Sequence, residues 1–214
     1  FTTIVAGQEV TFATGKLAEQ AGGAGTVRIG DCLLFAAATM SKNTREGLDF
    51  FPLSVDYEEK MYAVGKIPGS FFRREGRPTT DAVLTSRLID RPLRPLFPDG
   101  MRNEVQVLVN TLSSDSEHQL DVMAVNAASA ALMISDIPWN GPIGAVRVGY
   151  IDGKFVGNPS FKMMEQSTLD LRLAATREAI IMVEAGANEI PEALMVEALA
   201  FGHEVLQPLI VVQE

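Results

Sequence analysis

Phe71-Phe72-Arg73-Arg74-Glu75-Gly76-Arg77-Pro78, continued by Arg87-Leu88-Ile89-Asp90-Arg91-Pro92-Leu93-Arg94, is the stretch from which the rest of the chain is best read. It sets two adjacent aromatic rings beside three guanidinium groups, then adds three more arginines. Aromatic faces stack on unpaired bases, and arginines neutralise the phosphates that join them. With Lys66 and Arg102, residues 66–102 hold eight of the chain's 18 basic residues and only four acids. The window carries +4, so the remainder carries −13 against a total of −9. A cationic island on an acidic protein indicates one localised anion site rather than diffuse adhesion to nucleic acid.

Outward from that window the local signals are regular. A helix is expected to begin near Thr79 to Asp81, capped by Thr80 or Asp81, and Pro92 should end or kink it. Upstream, Gly22 to Gly25 reads as the most flexible spot. Thr26 to Ile29 and Cys32 to Met40 form a hairpin about Gly30-Asp31, and Phe51 to Tyr57 reads as a strand. Downstream, Glu104 to Leu112 is a strand, and Asp121 caps an alanine-rich helix, Val122 to Ile134. Asp152-Gly153 turns one hairpin and Thr176-Arg177-Glu178 a second. Pro191 opens a final helix through about Leu206. Strands in runs with a few helices between them argue for an α+β layered domain.

Composition narrows the class. A 47% hydrophobic and 21% charged make-up is that of a globular protein with a real core. No uninterrupted apolar run approaches the ~20 residues that span a bilayer, and no basic-then-apolar leader opens the chain. A lone cysteine, Cys32, suits a reducing compartment. The expected setting is cytoplasmic, with a processed organellar form also open.

Each site has a plain reading beside the functional one. Adjacent residues of an extended chain point to opposite sides, so Phe71 and Phe72 cannot share one core face. One is then buried and the other shields an interface, or both serve as a stacking platform with Arg73 and Arg74 on phosphates. Arg87, Arg91 and Arg94 share a helix face, either favouring the macrodipole or binding a phosphate or RNA backbone, with Asp90 and Glu75 as available partners. Asp115, Glu117, Asp121 and His118 read as a polar turn and a helix cap rather than a metal site. Asp170 reads as a surface or cleft carboxylate paired with Arg172, and His203 as a satisfied, partly buried histidine. No P-loop, nucleophile elbow or dinucleotide fingerprint is present.

Longer motifs add a resemblance. Ile67-Pro68-Gly69-Ser70 leading into Phe71 to Pro78, Arg87 to Pro98, Asn126-Ala127-Ala128-Ser129-Ala130-Ala131-Leu132 and Asn140-Gly141-Pro142-Ile143-Gly144 resemble the polynucleotide phosphorylase family. The resemblance implies that residues 1–214 are the first of two ribonuclease PH-like cores, with mixed β-sheets layered with α-helices. A helical linker, the second core, and KH and further RNA-binding domains are absent from this stretch. It implies phosphate-dependent 3′-to-5′ exoribonuclease action that releases nucleoside diphosphates, reversible as polymerisation. The implied assembly is a homotrimeric ring with single-stranded RNA in a central channel, RNA degradosome components as further partners, and no membrane. By resemblance, Phe71, Phe72, Arg73 and Arg74 form the channel constriction, while Arg77, Arg87, Arg91 and Arg94 line the path or a neighbouring cleft.

One departure matters. The family's second core carries a serine-rich phosphate loop where this chain reads Glu117-His118-Gln119-Leu120-Asp121. It also carries D-x5-D-x-K where this chain has Met164, Asp170 and Arg172. The expectation is therefore no catalytic residue and no metal ligand in this core. Mg²⁺ would be held by the second core, with inorganic phosphate as co-substrate. Two rivals stay open: a self-sufficient single-core phosphorolytic ribonuclease, and a non-catalytic RNA-binding scaffold.

Overall fold

The alternating apolar pattern of the N-terminal half closes into a six-stranded sheet in the computed structural model, which describes residues 1–45, 47–67, 69 and 76–214. Its strands are β1 (Thr2–Val5), β2 (Gln8–Thr14), β3 (Gly23–Ile29), β4 (Cys32–Thr44), β5 (Leu53–Glu59) and β6 (Asn103–Ser113). They lie in the order β1-β2-β3-β4-β6-β5, antiparallel throughout except for parallel β5 and β6. A parallel pair needs a crossover. Helix α1 (Thr80–Leu93) lies in that crossover and packs on β5. A second, antiparallel sheet has the order β10-β9-β7-β8, from β7 (Gly144–Ile151), β8 (Lys154–Gly157), β9 (Leu169–Ala175) and β10 (Ile180–Ala187). Mixed sheets layered with helices make the class α+β, as the sequence indicates.

Helix α2 (Leu120–Met133) lies between the sheets, against β3, β4 and β6 on one side and β7 on the other. Eleven of its 14 residues are buried, which is why it is apolar on every side. Its two buried polar residues act as pins. Asn126 donates to the Ala145 carbonyl at 2.9 Å and accepts from the Ala145 N–H at 2.8 Å. Ser129 Oγ accepts from the Ile143 N–H at 3.1 Å and donates to Gln213 Oε1 at 2.6 Å. A short helix, α3 (Phe161–Met164), follows β8, and α4 (Glu192–Gln213) closes the chain against β1, β7 and β9.

Several expectations need correction. Gly22 to Gly25 is no flexible spot: β3 begins at Gly23, and a Cβ there would lie 2.2 Å from the Ala131 carbonyl oxygen. Gly23 lets the strand touch the α2 backbone. Thr79, not Thr80 or Asp81, caps α1, its hydroxyl accepting the Ala82 N–H at 3.1 Å. The expectation that Pro92 ends α1 holds to within one residue: the helix stops at Leu93 and gives way to a 3₁₀ turn, Arg94–Leu96. The residue preceding α2 is Gln119, and Asp121 lies inside its first turn, where Oδ1 accepts the Val122 N–H at 2.8 Å and Oδ2 is held by Arg172. Helix α4 extends past Leu206 to Gln213. By length and composition α4 is apolar enough to cross a membrane, a property that the scattered glutamates Glu192, Glu197 and Glu204 hide from a search for unbroken runs.

Candidate functional site

Two cavities flank α1. The larger, about 1020 Å³, runs between α1 and the edge strand β5 and is lined by Arg87, Arg91 and Arg94 together with Asp56, Glu58 and Lys60. The helical spacing expected of the three arginines does place them on one groove. Their partners differ. Arg94 makes a bidentate pair with Asp90, at 2.6 and 3.0 Å, and donates to the carbonyls of Phe51 and Leu53 at 3.2 and 3.3 Å. Its guanidinium also lies 5.8 Å from the Phe51 ring centroid. Arg91 reaches Glu184 at 3.0 Å. Arg87 is exposed and has no ion-pair partner among the described residues. The groove also holds Asn110, whose Oδ1 is buried without a hydrogen-bond partner among the described residues. Arg77 is exposed just before α1. Phe71, Phe72, Arg73, Arg74 and Glu75 lie outside the described residues.

The second cavity, about 590 Å³, opens on the other side of α1, over the second sheet and the start of α2. Its floor is an ion network that the sequence reading only glimpsed. Arg147 on β7 grips both oxygens of Asp170 on β9, at 2.7 and 2.6 Å. It also donates to Gln119 Oε1 at 2.6 Å and approaches Asp121 at 3.5 Å. Arg172 on β9 donates to Asp121 at 2.6 Å and lies 3.3 Å from Glu184 on β10. Burial alone disfavours the charged guanidinium of Arg172, but Asp121, Asp170 and Glu184 outweigh it and hold the proton more firmly than usual. Glu184 faces Arg91 as well, so the network continues into the arginine groove.

The expected Asp170–Arg172 pair is thus a minor contact at 3.7 Å, and Arg147 is the principal partner. Sequence reasoning passed over Arg147 altogether. Its signal was a single charge inside the apolar run Gly144 to Ile151. Arg147 and Arg172 are direct cross-strand neighbours, a like-charge pairing that is unfavourable unless acids intervene. Three acids do so here. Magnesium wants free oxygen ligands, usually one or two carboxylates plus substrate phosphates. Asp121, Asp170 and Glu184 are each engaged by guanidinium groups, so these residues do not fit magnesium.

A third cluster lies in the turn before α2. Asp115 Oδ1 accepts from the N–H groups of Glu117 and His118, at 2.8 and 3.0 Å, and from the Cys32 thiol at 3.1 Å. Its Oδ2 meets His118 Nδ1 at 2.6 Å. Asp121, grouped with these residues in the sequence, instead joins the ion network, and Cys32 takes its place. Burial raises the Cys32 thiol to about 11. His203 is half-buried, with Nε2 3.3 Å from the Thr176 carbonyl, as its plain reading holds.

Comparison with known proteins gives a consistent set of relatives. The 3′ exoribonuclease family matches over its domain 1 at residues 6–138 and its domain 2 at residues 141–205. A polyribonucleotide nucleotidyltransferase of Roseiflexus castenholzii is 59% identical over 205 residues, 96% of this chain and 28% of that protein. One from Heliobacterium modesticaldum is 52% identical over 214 residues, 100% of this chain and 30% of that protein. The chain thus spans less than a third of the length of these relatives. Among solved structures, the Archaeoglobus fulgidus exosome with RNA bound to the active site superposes with a TM-score of 0.72 at 18% identity, covering 92% of this chain and 85% of that one. Rice Rrp46 gives a TM-score of 0.73 at 16% identity, covering 93% and 90%. At such identities the superpositions speak to the fold alone.

Proposed function

The chain belongs to the 3′ exoribonuclease family, and on that premise we propose that it is the first core of a polyribonucleotide nucleotidyltransferase, gripping RNA for a reaction completed elsewhere. The observation that carries this reading is the contrast between the two cavities. One presents arginines to an open groove, with Arg87 uncommitted to any acid among the described residues. The other, over the second sheet and the start of α2, has every network carboxylate tied to an arginine. Guanidinium groups suit bidentate contact with phosphate oxygens. Carboxylates already held by cations are poor general bases and poor metal ligands.

In this reading single-stranded RNA is the substrate, Phe71, Phe72, Arg73, Arg74 and Arg77 grip it, and Arg87 and Arg91 meet its phosphates. Arg94, whose donors are largely engaged, shapes the groove wall and adds charge. The second core of the same protein supplies the catalytic centre, using inorganic phosphate as attacking co-substrate and magnesium to neutralise the scissile phosphate. A homotrimeric ring would place the three grooves around one RNA path. The test is phosphorolysis of poly(A), with phosphate and magnesium, by this chain alone and by the full-length protein. We expect ADP release from the full-length protein and none from the chain alone. Turnover by the chain alone would establish the self-sufficient ribonuclease instead. Full-length activity indifferent to Arg87→Ala and Arg91→Ala together would remove the groove from the reaction.

A further inference from the structure

We infer that Cys32, Asp115 and His118 form a binding site for one soft divalent transition-metal ion of the zinc or cobalt class, separate from the RNA groove and from the ion network. Cys32 begins β4, whereas Asp115 and His118 lie in the connection from β6 to α2, so a fold-level contact 83 residues apart in sequence creates the site. The thiol sulfur, a carboxylate oxygen and an imidazole nitrogen lie within 4.8 Å of one another. A metal at about 2.3 Å from sulfur and about 2.0 Å from nitrogen and oxygen fits among them with small side-chain adjustments.

The donor set also decides the ion. Thiolate plus imidazole selects zinc-like ions, whereas magnesium prefers an all-oxygen shell. A thiolate and a carboxylate together balance a 2+ charge, so the partly enclosed site ends neutral. Asp115 Oδ1 is occupied by two N–H groups that fix the carboxylate, leaving Oδ2 for the ion. Binding places the ion between Oδ2 and His118 Nδ1, where a hydrogen bond now sits. His118 takes the neutral tautomer protonated at Nε2, and the Cys32 proton leaves to solvent. Gly30, at φ +54°, makes the space: a Cβ there would lie 3.1 Å from His118 Cε1 and 3.5 Å from Asp115 Oδ2. The filled site would staple the β3–β4 turn to the loop whose Ser114, Ser116 and Gln119 line the smaller cavity.

Cys32 is the chain's only cysteine, so a thiolate-to-cobalt charge-transfer band reports on this site alone. Metal-free chain is titrated with Co²⁺, then with Zn²⁺, with magnesium in excess throughout. The expected result is one equivalent of Co²⁺ giving the band, displaced by Zn²⁺ and indifferent to magnesium, with a melting temperature that rises on Zn²⁺ addition. Cys32→Ser should abolish the band, and His118→Gln, which leaves the thiol in place, should weaken Co²⁺ binding by about tenfold or more. Absence of the band in the unmodified chain would overturn the site. So would equal Co²⁺ affinity in the unmodified and His118→Gln chains, whether or not Cys32→Ser folds.

Discussion

Asp115 shows how much one side chain can be asked to hold. Burial alone would raise its carboxyl, but the N–H groups of His118 and Glu117, the Cys32 thiol and the His118 ring outweigh it and hold it well below the usual carboxylate range. A depressed folded-state value contributes stability that is complete above the ordinary carboxylate value of about 4 and is lost as pH falls toward the folded value. Asp115→Asn should therefore lower stability at neutral pH, by about 1–3 kcal/mol from the disrupted hydrogen bonds. It should also flatten the acid-side decline, a difference visible in urea midpoints taken across the acid range. Arg87 works oppositely, since no ion-pair partner among the described residues depends on it. Arg87→Ala should leave the melting temperature nearly unchanged while reducing the salt dependence of single-stranded RNA binding by about 0.7 in log–log slope for one lost phosphate contact. An unaltered slope, measured by titration at several salt concentrations, would take Arg87 off the RNA path.

At the scale of elements, the decisive contact is backbone against backbone. Strand β3 approaches α2 so closely at Gly23 that a methyl group would meet the Ala131 carbonyl oxygen at 2.2 Å and the Ser135 Cβ at 2.8 Å. Backbone cannot swing aside as a flexible side chain can. Gly23→Ala should cost at least about 1–3 kcal/mol, the usual range for overpacking, read as a fall in urea midpoint. Gly186 on the edge strand β10 is the control, because a Cβ there meets nothing within 4 Å. Gly186→Ala should be neutral or mildly stabilising, as it restricts the unfolded chain. The motif residues Asn126 and Ser129 act at a different contact, pinning α2 to the β7 end and to α4. These motif residues therefore hold the scaffold together, and the chemistry of the proposed site lies with the arginines.

Across the whole molecule, one continuous core joins both sheets through α2, from Val10 and Leu34 to Leu173 and Leu209. Neither sheet can lose α2 without exposing the other. Unfolding should accordingly be cooperative, and Trp139 is placed to report it: its indole N–H donates to the Leu93 carbonyl at 3.1 Å, tying the loop after α2 to the end of α1. Trp139 fluorescence and far-ultraviolet circular dichroism should give coincident urea transitions. Separate midpoints would show that the sheets unfold independently. The Arg91–Glu184–Arg172 chain of contacts couples the groove to the second sheet on the same principle.

The amino-acid order alone determined the local features: the +4 window, the hairpin turning at Asp152 and Gly153 with positive φ at both, the three long helices and the α+β class. Periods of two and 3.6 residues and turn chemistry are short-range properties, legible without partners. By resemblance, the order also led to the expectation of no catalytic residue in this core, from Met164 and Arg172. Only the tertiary structure decided which charges meet: Asp170 with Arg147, Asp121 with Arg172, and Cys32 with Asp115. Periodicity says which face of an element a side chain occupies, but not which distant element packs opposite. Those choices follow from burying α2 between two sheets, a long-range consequence that no window of neighbouring residues contains.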